Sequence, residues 1–552
     1  MFFKGCLSRL SAFSHLLQPR SRPMNLDLPA ELYLDFNATS AVLPEAAAAA
    51  QAAMLSAYGN PSSTHALGLR AQALLSQARQ RAREVLGATT GQLLFTSGAT
   101  EGIQTAVLSA LCGLRDRLRQ GRPTGQVLLY GATEHKAVPE ALAHWNRVLG
   151  LNLEVRALPV DARGQHDLAA LRATLPQVGL LCTMAANNET GVVSDLAGIE
   201  AVLEEAGSPA LWLVDGVQAL GKLKLNLAAS RIDYAPFSGH KLHAPKGVGL
   251  LYVREGSPFT PLIAGGGQEG GARSGTENMP GIAALGAVLA ALQRGDTFCP
   301  PARLKAYRER VWQALQAAFP GVALNAALED SLPTTINFSW PGVPAQRLMS
   351  TLDAAGLMVS AGSACSAAQA KPSAVLAAMG WPASRSTASV RLSLGLLVDE
   401  GFVDQVCERL LACGAALQGA GLSEDDQPAP APGGLAEALC VAPEALADWL
   451  ARHPQARLVD VRDPHEHQAS GLTRMAGRPV QSVPLGQLAQ VLPGWLEGAP
   501  PLLFLCRSGA RSQRAAAQAL ACGHVEVSQL TGGLVALAGL TQQGSGAMPQ
   551  SR

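Results

Sequence analysis

Leu211-Trp212-Leu213-Val214-Asp215 and Ser238-Gly239-His240-Lys241, whose lysine lies 26 residues beyond the aspartate, are the stretches around which the chain is organised. The first is an apolar run that stops at a carboxylate, the pattern of a buried strand meeting a polar turn. The second is a polar turn that ends on a lysine. An amine that can form a Schiff base and a carboxylate that can face a pyridinium nitrogen are what pyridoxal phosphate asks of a protein. Taken alone, S-G-H-K is equally a turn with a solvated lysine, so the neighbouring segments decide between the two.

Working outward, Tyr33-Leu34-Asp35-Phe36-Asn37-Ala38-Thr39 is strand-like and ends in polar residues, and Gly59-Asn60-Pro61-Ser62-Ser63-Thr64-His65 is a loop by composition. Helical periodicity covers 67–86. Leu93-Leu94-Phe95 then runs into Thr96-Ser97-Gly98-Ala99-Thr100, after which Ile103, Val107, Ala110, Leu111 and Leu114 recur at helical spacing. A strand, a small-residue turn and a helix start make a phosphate cradle around Ala99 and Thr100, because unpaired N–H groups and the positive helix end face the anion. Apolar runs at 127–130, 180–184 and 247–253 alternate with helical stretches, which predicts an α/β domain with a mostly parallel sheet. Ligands of such sheets bind at the carboxyl ends of the strands. Glu134-His135, Asn187-Asn188-Glu189-Thr190-Gly191, Asp215-Gly216-Val217-Gln218 and the segment 238–241 all fall there.

With 552 residues the chain exceeds what one core usually holds, and 48% hydrophobic content supports sizeable cores. A net charge of +1, with 15% charged residues and no block of one sign, points away from nucleic acid and from an anionic membrane. Ten cysteines lie scattered without C-x-x-C pairs or His/Cys clusters, so neither a metal site nor a disulfide framework is expected, and reduced thiols in cytoplasm fit best. No run reaches the roughly 18 apolar residues of a spanning helix. Residues 1–26 carry Lys4, Arg9, Arg20 and Arg22 and no acid. They read either as an untidy extension with Met24 as an alternative start or as a transit peptide.

In order along 32–415 the chain carries G-N-P-S-S-x-H, T-S-G-A-T-E, A-N-N-E-T-G, D-G-V-Q, S-G-H-K, G-G-G-Q-E-G-G-A-R-S-G-T-E-N, S-A-G-S-A-C-S and R-L-S-L-G. This set resembles the cysteine desulfurases, a branch of the class V aminotransferases with the type I pyridoxal-phosphate fold: a large, mostly parallel sheet domain and a small α/β domain. The resemblance implies that Lys241 carries the cofactor, Asp215 meets the ring nitrogen, His135 stacks on the ring, and Gln218 with Asn188 lies near the phenolate oxygen or the substrate. It assigns the phosphate to Thr100, Ser238 and His240, with Thr276 reaching over from the partner subunit of a homodimer. Arg391 would grip the carboxylate of L-cysteine, a task suited to a bidentate guanidinium. Lys246 is taken as solvated. Gly102-Ile103-Gln104 departs from the small and asparagine residues common after T-E.

Cys365 lies in Ser360-Ala361-Gly362-Ser363-Ala364-Cys365-Ser366-Ala367-Ala368, too rich in small residues to pack a core. The stretch resembles the desulfurase subgroup whose mobile cysteine takes the substrate sulfur as a persulfide and leaves alanine.

Residues 419–434, GAGLSEDDQPAPAPGG, read as a linker. The domain plan is therefore an extension at 1–31, a desulfurase part at 32–418, the linker, a small α/β part at 435–545 and a tail at 546–552. In the last part a helix-like stretch precedes Leu458-Val459-Asp460-Val461-Arg462, and Leu502-Leu503-Phe504-Leu505 runs into Cys506-Arg507-Ser508-Gly509-Ala510-Arg511-Ser512. A cysteine among successive backbone amides, two arginines and a helix N-terminus should be a thiolate in an anion-binding loop. D-V-R and C-R-S-G-A-R-S resemble a rhodanese domain, with Leu472 and Leu537 where that family often has histidine and tryptophan. A Cys-based phosphatase needs C-x5-R, but here Arg511 is the fifth residue after Cys506 and Ser512 the sixth. The expected activity is cysteine desulfuration with sulfur relayed from Cys365 to Cys506 and on to an acceptor protein or small thiol, with iron–sulfur assembly among the destinations. The linker reaches about 20–25 Å and implies a millimolar effective concentration. A selenocysteine lyase, another class V enzyme, or a tail that only binds or senses sulfur species are the alternatives.

Overall fold

The computed structural model describes residues 29–361, 372–419 and 439–544. The segment holding Cys365, most of the 419–434 linker, the N-terminal basic stretch and the 546–552 tail lie outside them. The chain divides into two compact units. One comprises Leu32–Met349 and Leu357–Leu411, and the other carries Ser350–Gly356 and residues from Ala412 onward.

In the first unit, β1 (Leu32–Tyr33) precedes a seven-stranded sheet. Its members are β2 (Gln92–Thr96), β3 (Val127–Gly131), β4 (Glu154–Leu158), β5 (Val178–Met184), β6 (Leu211–Asp215), β7 (Tyr234–Ser238) and β8 (Gly249–Val253), in spatial order β2-β8-β7-β6-β5-β3-β4. Neighbours pair in parallel except across β8, which is antiparallel to both β2 and β7. The expected mostly parallel sheet is therefore observed. Every residue of β5 through β8 is buried, as happens when helices cover both faces and the strands become continuous apolar runs. Between β6 and β7 only Leu213 and Tyr234 form a registered pair. Pro236, in β7, has no N–H to give to a ladder.

Helix α1 spans Pro44–Ser56, α2 Ala66–Leu86 and α3 Ala99–Arg119. The five residues of α3 picked out by their spacing, Ile103, Val107, Ala110, Leu111 and Leu114, all enter one core with Leu128, Leu180 and Leu213 from the sheet. The unusual Gly102-Ile103-Gln104 has a packing reason. A Cβ on Gly102 would come within 3.0 Å of Pro236 Cβ, Ile103 is core, and Gln104 Oε1 accepts from Trp145 Nε1 at 2.6 Å.

A smaller antiparallel sheet follows, ordered β12-β13-β10-β9 from β9 (Ala323–Leu324), β10 (Thr335–Ser339), β12 (Ser360–Ala361) and β13 (Ser389–Ser393). β11 (Leu357–Met358) pairs in parallel with β1, and Asp35 bridges to Ser393. The segment after β1 is thereby tied to β13.

The C-terminal part of the second unit is a six-stranded sheet ordered β14-β19-β18-β15-β17-β16, from β14 (Cys440–Val441), β15 (Arg457–Asp460), β16 (Arg474–Met475), β17 (Arg478–Ser482), β18 (Leu502–Leu505) and β19 (Val527–Leu530). Two apolar clusters pack against it. Leu472 and Leu537, the departures noted in the sequence, are fully buried members of one of them. No helix among the described residues is long and apolar enough to cross a membrane. The eight cysteines described are free thiols.

Candidate active site

Asn37 is the hinge of the site. It is buried and held three ways: its N–H donates to Ser393 Oγ at 2.9 Å, and its Nδ2 donates to Thr335 Oγ1 at 3.0 Å and to the Asn188 carbonyl at 3.2 Å. Its own carbonyl accepts from Lys241 Nζ at 2.5 Å and from Gln218 Nε2 at 3.0 Å. Lys241 ends the short 3-10 turn Gly239–Lys241 that follows β7, and Gln218 lies in the loop after β6. Two strand ends thus converge on one fixed acceptor. Lys246 is exposed, as expected.

Asp215 closes β6, and its Oδ1 accepts from the Val217 N–H at 2.9 Å. Burial pushes its carboxyl up to about 6, against the pull of the Val217 amide and the Lys241 charge. Glu134, on the loop after β3, has both side-chain oxygens buried and outside hydrogen-bond geometry with any protein donor. Burial first, then the charge of Asp215, holds it well above the carboxylate range, offset only in part by the Met184 backbone. Burial raises the carboxyls of both members of this pair, and the charge of Asp215 adds to the rise at Glu134. His135, beside it, accepts from the Ala137 N–H at 3.2 Å through Nδ1. Partial burial of the ring, then Lys241 and Lys136, keeps its pKa below the usual value.

The strand, turn and helix start expected of an anion cradle occur where β2 gives way to α3. Gly98 caps α3 with its backbone extended, and its ideal Cβ position lies 3.8 Å from Ser238 Oγ, so the helix N-terminus and the end of β7 are neighbours. Ala99 and Thr100 form the first turn. His240 Nδ1 lies 3.2 Å from Thr39 Oγ1, and burial, then Lys241 and Lys246, pushes its pKa down to about 4. Glu101, one residue on, accepts from the Ser97 N–H at 2.8 Å and pairs with Arg273 at 2.9 Å. These contacts outweigh burial and lower its pKa.

Arg391 is fully buried on β13. Nη1 donates to the Asn188 carbonyl at 2.8 Å and Nη2 to Asp35 Oδ1 at 2.6 Å. Asn188 is presented by its neighbour: Asn187 Oδ1 accepts from the Glu189 and Thr190 N–H groups at 2.8 and 2.9 Å, and Nδ2 donates to the Thr133 carbonyl. Thr276 is exposed and makes no hydrogen bond with these residues inside the chain. The sequence placed Glu134 at a strand end without giving it a role, and it gave none to Asn37, Asp35 or Lys222. Gln218 and Lys222 sit at a spacing of four in D-G-V-Q-A-L-G-K, a signal that could have flagged the lysine.

In the C-terminal sheet Cys506 follows β18 and is buried. Its Sγ accepts from the Gly509 and Ser512 N–H groups at 3.2 and 3.3 Å and lies 3.4 Å from Ser512 Oγ. Gly509 has φ 96° and caps the helix Ala510–Ala521. The arginines differ from expectation. Arg511 is engaged by Glu466, at 2.5 and 2.7 Å, and by Asp463 at 3.2 Å, while Arg507 and Ser508 are exposed. Backbone amides, not guanidinium groups, serve the sulfur, because Glu466 on Pro464–Ser470 competes for Arg511. Asp463 and Glu466, with His465, form the only cluster among the described residues close enough to ligate a metal, and both acids are spent on Arg511.

Residues 32–406 match the family model described as Aminotransferase class-V, and residues 442–539 that of the Rhodanese-like domain. Cysteine desulfurase 2 of Trichormus variabilis is 39% identical over 380 residues, covering 68% of this chain and 91% of that protein. A cysteine desulfurase of Gluconacetobacter diazotrophicus is 38% identical over 379 residues, covering 68% and 92%. A solved NifS-like protein superimposes with TM-score 0.62 at 30% identity over 70% of this chain and 99% of its own. SspA, solved in complex with cysteine, does so with TM-score 0.56 at 27% identity over 66% and 99%.

Proposed function

The chain belongs to the class V aminotransferases, among the cysteine desulfurases, with a rhodanese domain at its C-terminal end, and from that premise we propose how its residues divide the work. The reaction is conversion of L-cysteine to L-alanine with the sulfur captured on Cys365. The observation that carries this reading is the convergence of Lys241 and Gln218 on the Asn37 carbonyl beside buried Asp215. The relatives named cysteine desulfurase favour it over a selenocysteine lyase.

The family works with pyridoxal 5'-phosphate, and the donor set fits it: a lysine amine, a buried carboxylate near it, and a helix N-terminus beside the Ser238 hydroxyl. Bound, that cofactor supplies an electron sink that allows the Cβ–S bond of cysteine to break. When the cofactor is bound, Lys241 would be the amine that holds it and that moves the substrate's α-proton. Asp215 would serve the ring nitrogen, His135 the ring, and Gln218 with Asn188 the phenolate oxygen or the substrate. Ala99, Thr100, Ser238 and His240 take the phosphate, joined by Thr276 of a second copy in a homodimer. Arg391 takes the substrate carboxylate.

The Cys365 thiolate attacks the substrate sulfur, the C–S electron pair stays on carbon, and that carbon takes a proton to become the methyl group of alanine. The Cys506 thiolate then attacks the outer sulfur of the Cys365 persulfide and releases the Cys365 thiolate. Arg507, Ser508, Gly509, Ala510 and Arg511 shape the receiving loop. The acceptor beyond is a protein or small thiol, iron–sulfur assembly is one destination, and free cysteines fit a cytoplasmic setting. The matched ranges support division into 32–418, a linker at 419–434 and 435–545.

Borohydride should fix a yellow chromophore to Lys241; a colourless protein would defeat the reading. After one turnover with sulfur-labelled cysteine, mass mapping should find label on Cys365 and Cys506. Cys506→Ala should keep alanine formation and lose label from the C-terminal domain. Label reaching that domain at the normal rate would defeat the relay.

A further inference from the structure

Lys222 ends Asp215-Gly216-Val217-Gln218-Ala219-Leu220-Gly221-Lys222, a stretch folded tightly on itself. The Ala219 N–H donates to the Gly216 carbonyl at 2.9 Å, and the Lys222 and Leu223 N–H groups donate to the Ala219 carbonyl at 2.9 and 2.8 Å. Gly221 has φ 74°, and a Cβ there would lie 2.5 Å from Leu242 Cδ1, so the bend needs glycine. The bend sets Lys222 Nζ 2.7 Å from Gln218 Oε1.

That contact decides which way the Gln218 amide faces. With Oε1 taken by Lys222, Nε2 donates to the Asn37 carbonyl, which also accepts from Lys241. Turning the amide over would set N–H groups against the Lys222 amine and an oxygen against the carbonyl, losing both hydrogen bonds. The charged groups acting on Lys222 are Lys241 and Arg391. Burial first, then these two, pushes its pKa down to about 7. His243, the titratable neighbour on which Lys222 acts, is itself pushed down to about 4, mainly by burial, and so is neutral at that pH.

We propose that Lys222 is a positioning residue for the Lys241 site: it locks the Gln218 amide with its N–H toward Asn37 and Lys241, and its charge opposes positive charge where Lys241 joins the cofactor. This rests on Lys241 being the cofactor lysine. Lys222 carries charge below about pH 7, so its electrostatic action is strongest there and fades above. The hydrogen bond persists, because a neutral amine still donates.

The test uses full-length protein loaded with pyridoxal 5'-phosphate and follows the pH titration of its visible chromophore without cysteine. Lys222→Met should raise the midpoint by on the order of one pH unit, the shift expected when a nearby cation is removed. Lys222→Arg, which keeps the donor and stays charged at every pH, should not raise the midpoint above the parent's. At pH 9, where only the hydrogen bond remains, Lys222→Met should still lower kcat several-fold with KM little changed. Thermal melts of both variants separate these effects from misfolding, and Lys222→Leu, which likewise has neither charge nor donor, replaces Lys222→Met if the latter does not fold. A folded variant with the parent's midpoint overturns the electrostatic half, and an unchanged kcat at pH 9 overturns the locking half. Failure of borohydride to fix the chromophore to Lys241 in the parent overturns the underlying reading instead.

Discussion

Arg391 and Asp35 form an ion pair of 2.6 Å that joins β13 to the segment after β1, and the guanidinium is almost wholly buried. The arginine proposed to receive a substrate carboxylate is thus held at Nη2 by a carboxylate of the protein and at Nη1 by the Asn188 carbonyl, which together fix its plane. Lysine there keeps the charge and loses the fork. Arg391→Lys should raise KM for cysteine by about tenfold to a hundredfold, the worth of one charge-assisted hydrogen bond, with less effect on kcat. Steady-state alanine production measures this.

Removing Asp35 leaves that buried cation with only the Asn188 carbonyl. Asp35→Asn should cost about 3 kcal/mol of stability, since breaking one side of such a pair strands the other. Urea unfolding of the full chain reads it.

Asp215 has its carboxyl raised to about 6 by burial, so the folded chain binds its proton more tightly than the unfolded chain does. The stability this gives is present below the unfolded value near 3.8 and is lost as pH rises through about 6. Cofactor-free Asp215→Asn should therefore melt higher than the parent at pH 8, by on the order of a few °C, and equally at pH 4. Calorimetry across that range checks the sign. With cofactor, the same variant should lose kcat by on the order of a hundredfold or more, because the ring nitrogen loses its anion.

Burial, then the Asp215 charge, raises the Glu134 carboxyl well above the usual carboxylate range, which favours the protonated form, and an amide is the near-isostere of that form. Glu134→Gln should leave stability at pH 7 within about 1 kcal/mol of the parent, whereas an ionised carboxylate there would be strongly destabilising. A loss of several kcal/mol in denaturant unfolding would show that Glu134 is ionised.

Gly509 holds φ 96° in the Cys506 loop, and a Cβ would come within 3.3 Å of the Gly532 nitrogen. Gly509→Ala should destabilise the domain by about 1–2 kcal/mol and move the amide that serves the sulfur. Sulfur transfer from thiosulfate to cyanide should fall sharply while alanine formation stays.

Much of this was legible in the chain itself. The apolar runs became β3, β5, β6 and β8, and the spacing in α3 named its buried face, because both depend on local periodicity and burial on two sides. The strand ends carrying Asp215 and Lys241 followed from topology. For Arg511 the sequence showed only half of the setting: it still acts electrostatically on Cys506, but it is held by Glu466, 45 residues away in the chain. Asn37 escaped because it acts through a main-chain carbonyl, which every residue possesses.

The amino-acid order alone determined the two-part plan, the mostly parallel sheet and the candidates for the reactive amine and thiols, since periodicity and residue type carry those properties locally. Tertiary structure alone decided which groups share a site or an acceptor: that Glu134 is buried near the charge of Asp215, that Arg391 pairs with Asp35, and that Lys222 donates to the Gln218 amide oxygen. Those outcomes depend on distance and desolvation between residues far apart in the chain, and neither quantity exists until the chain has folded.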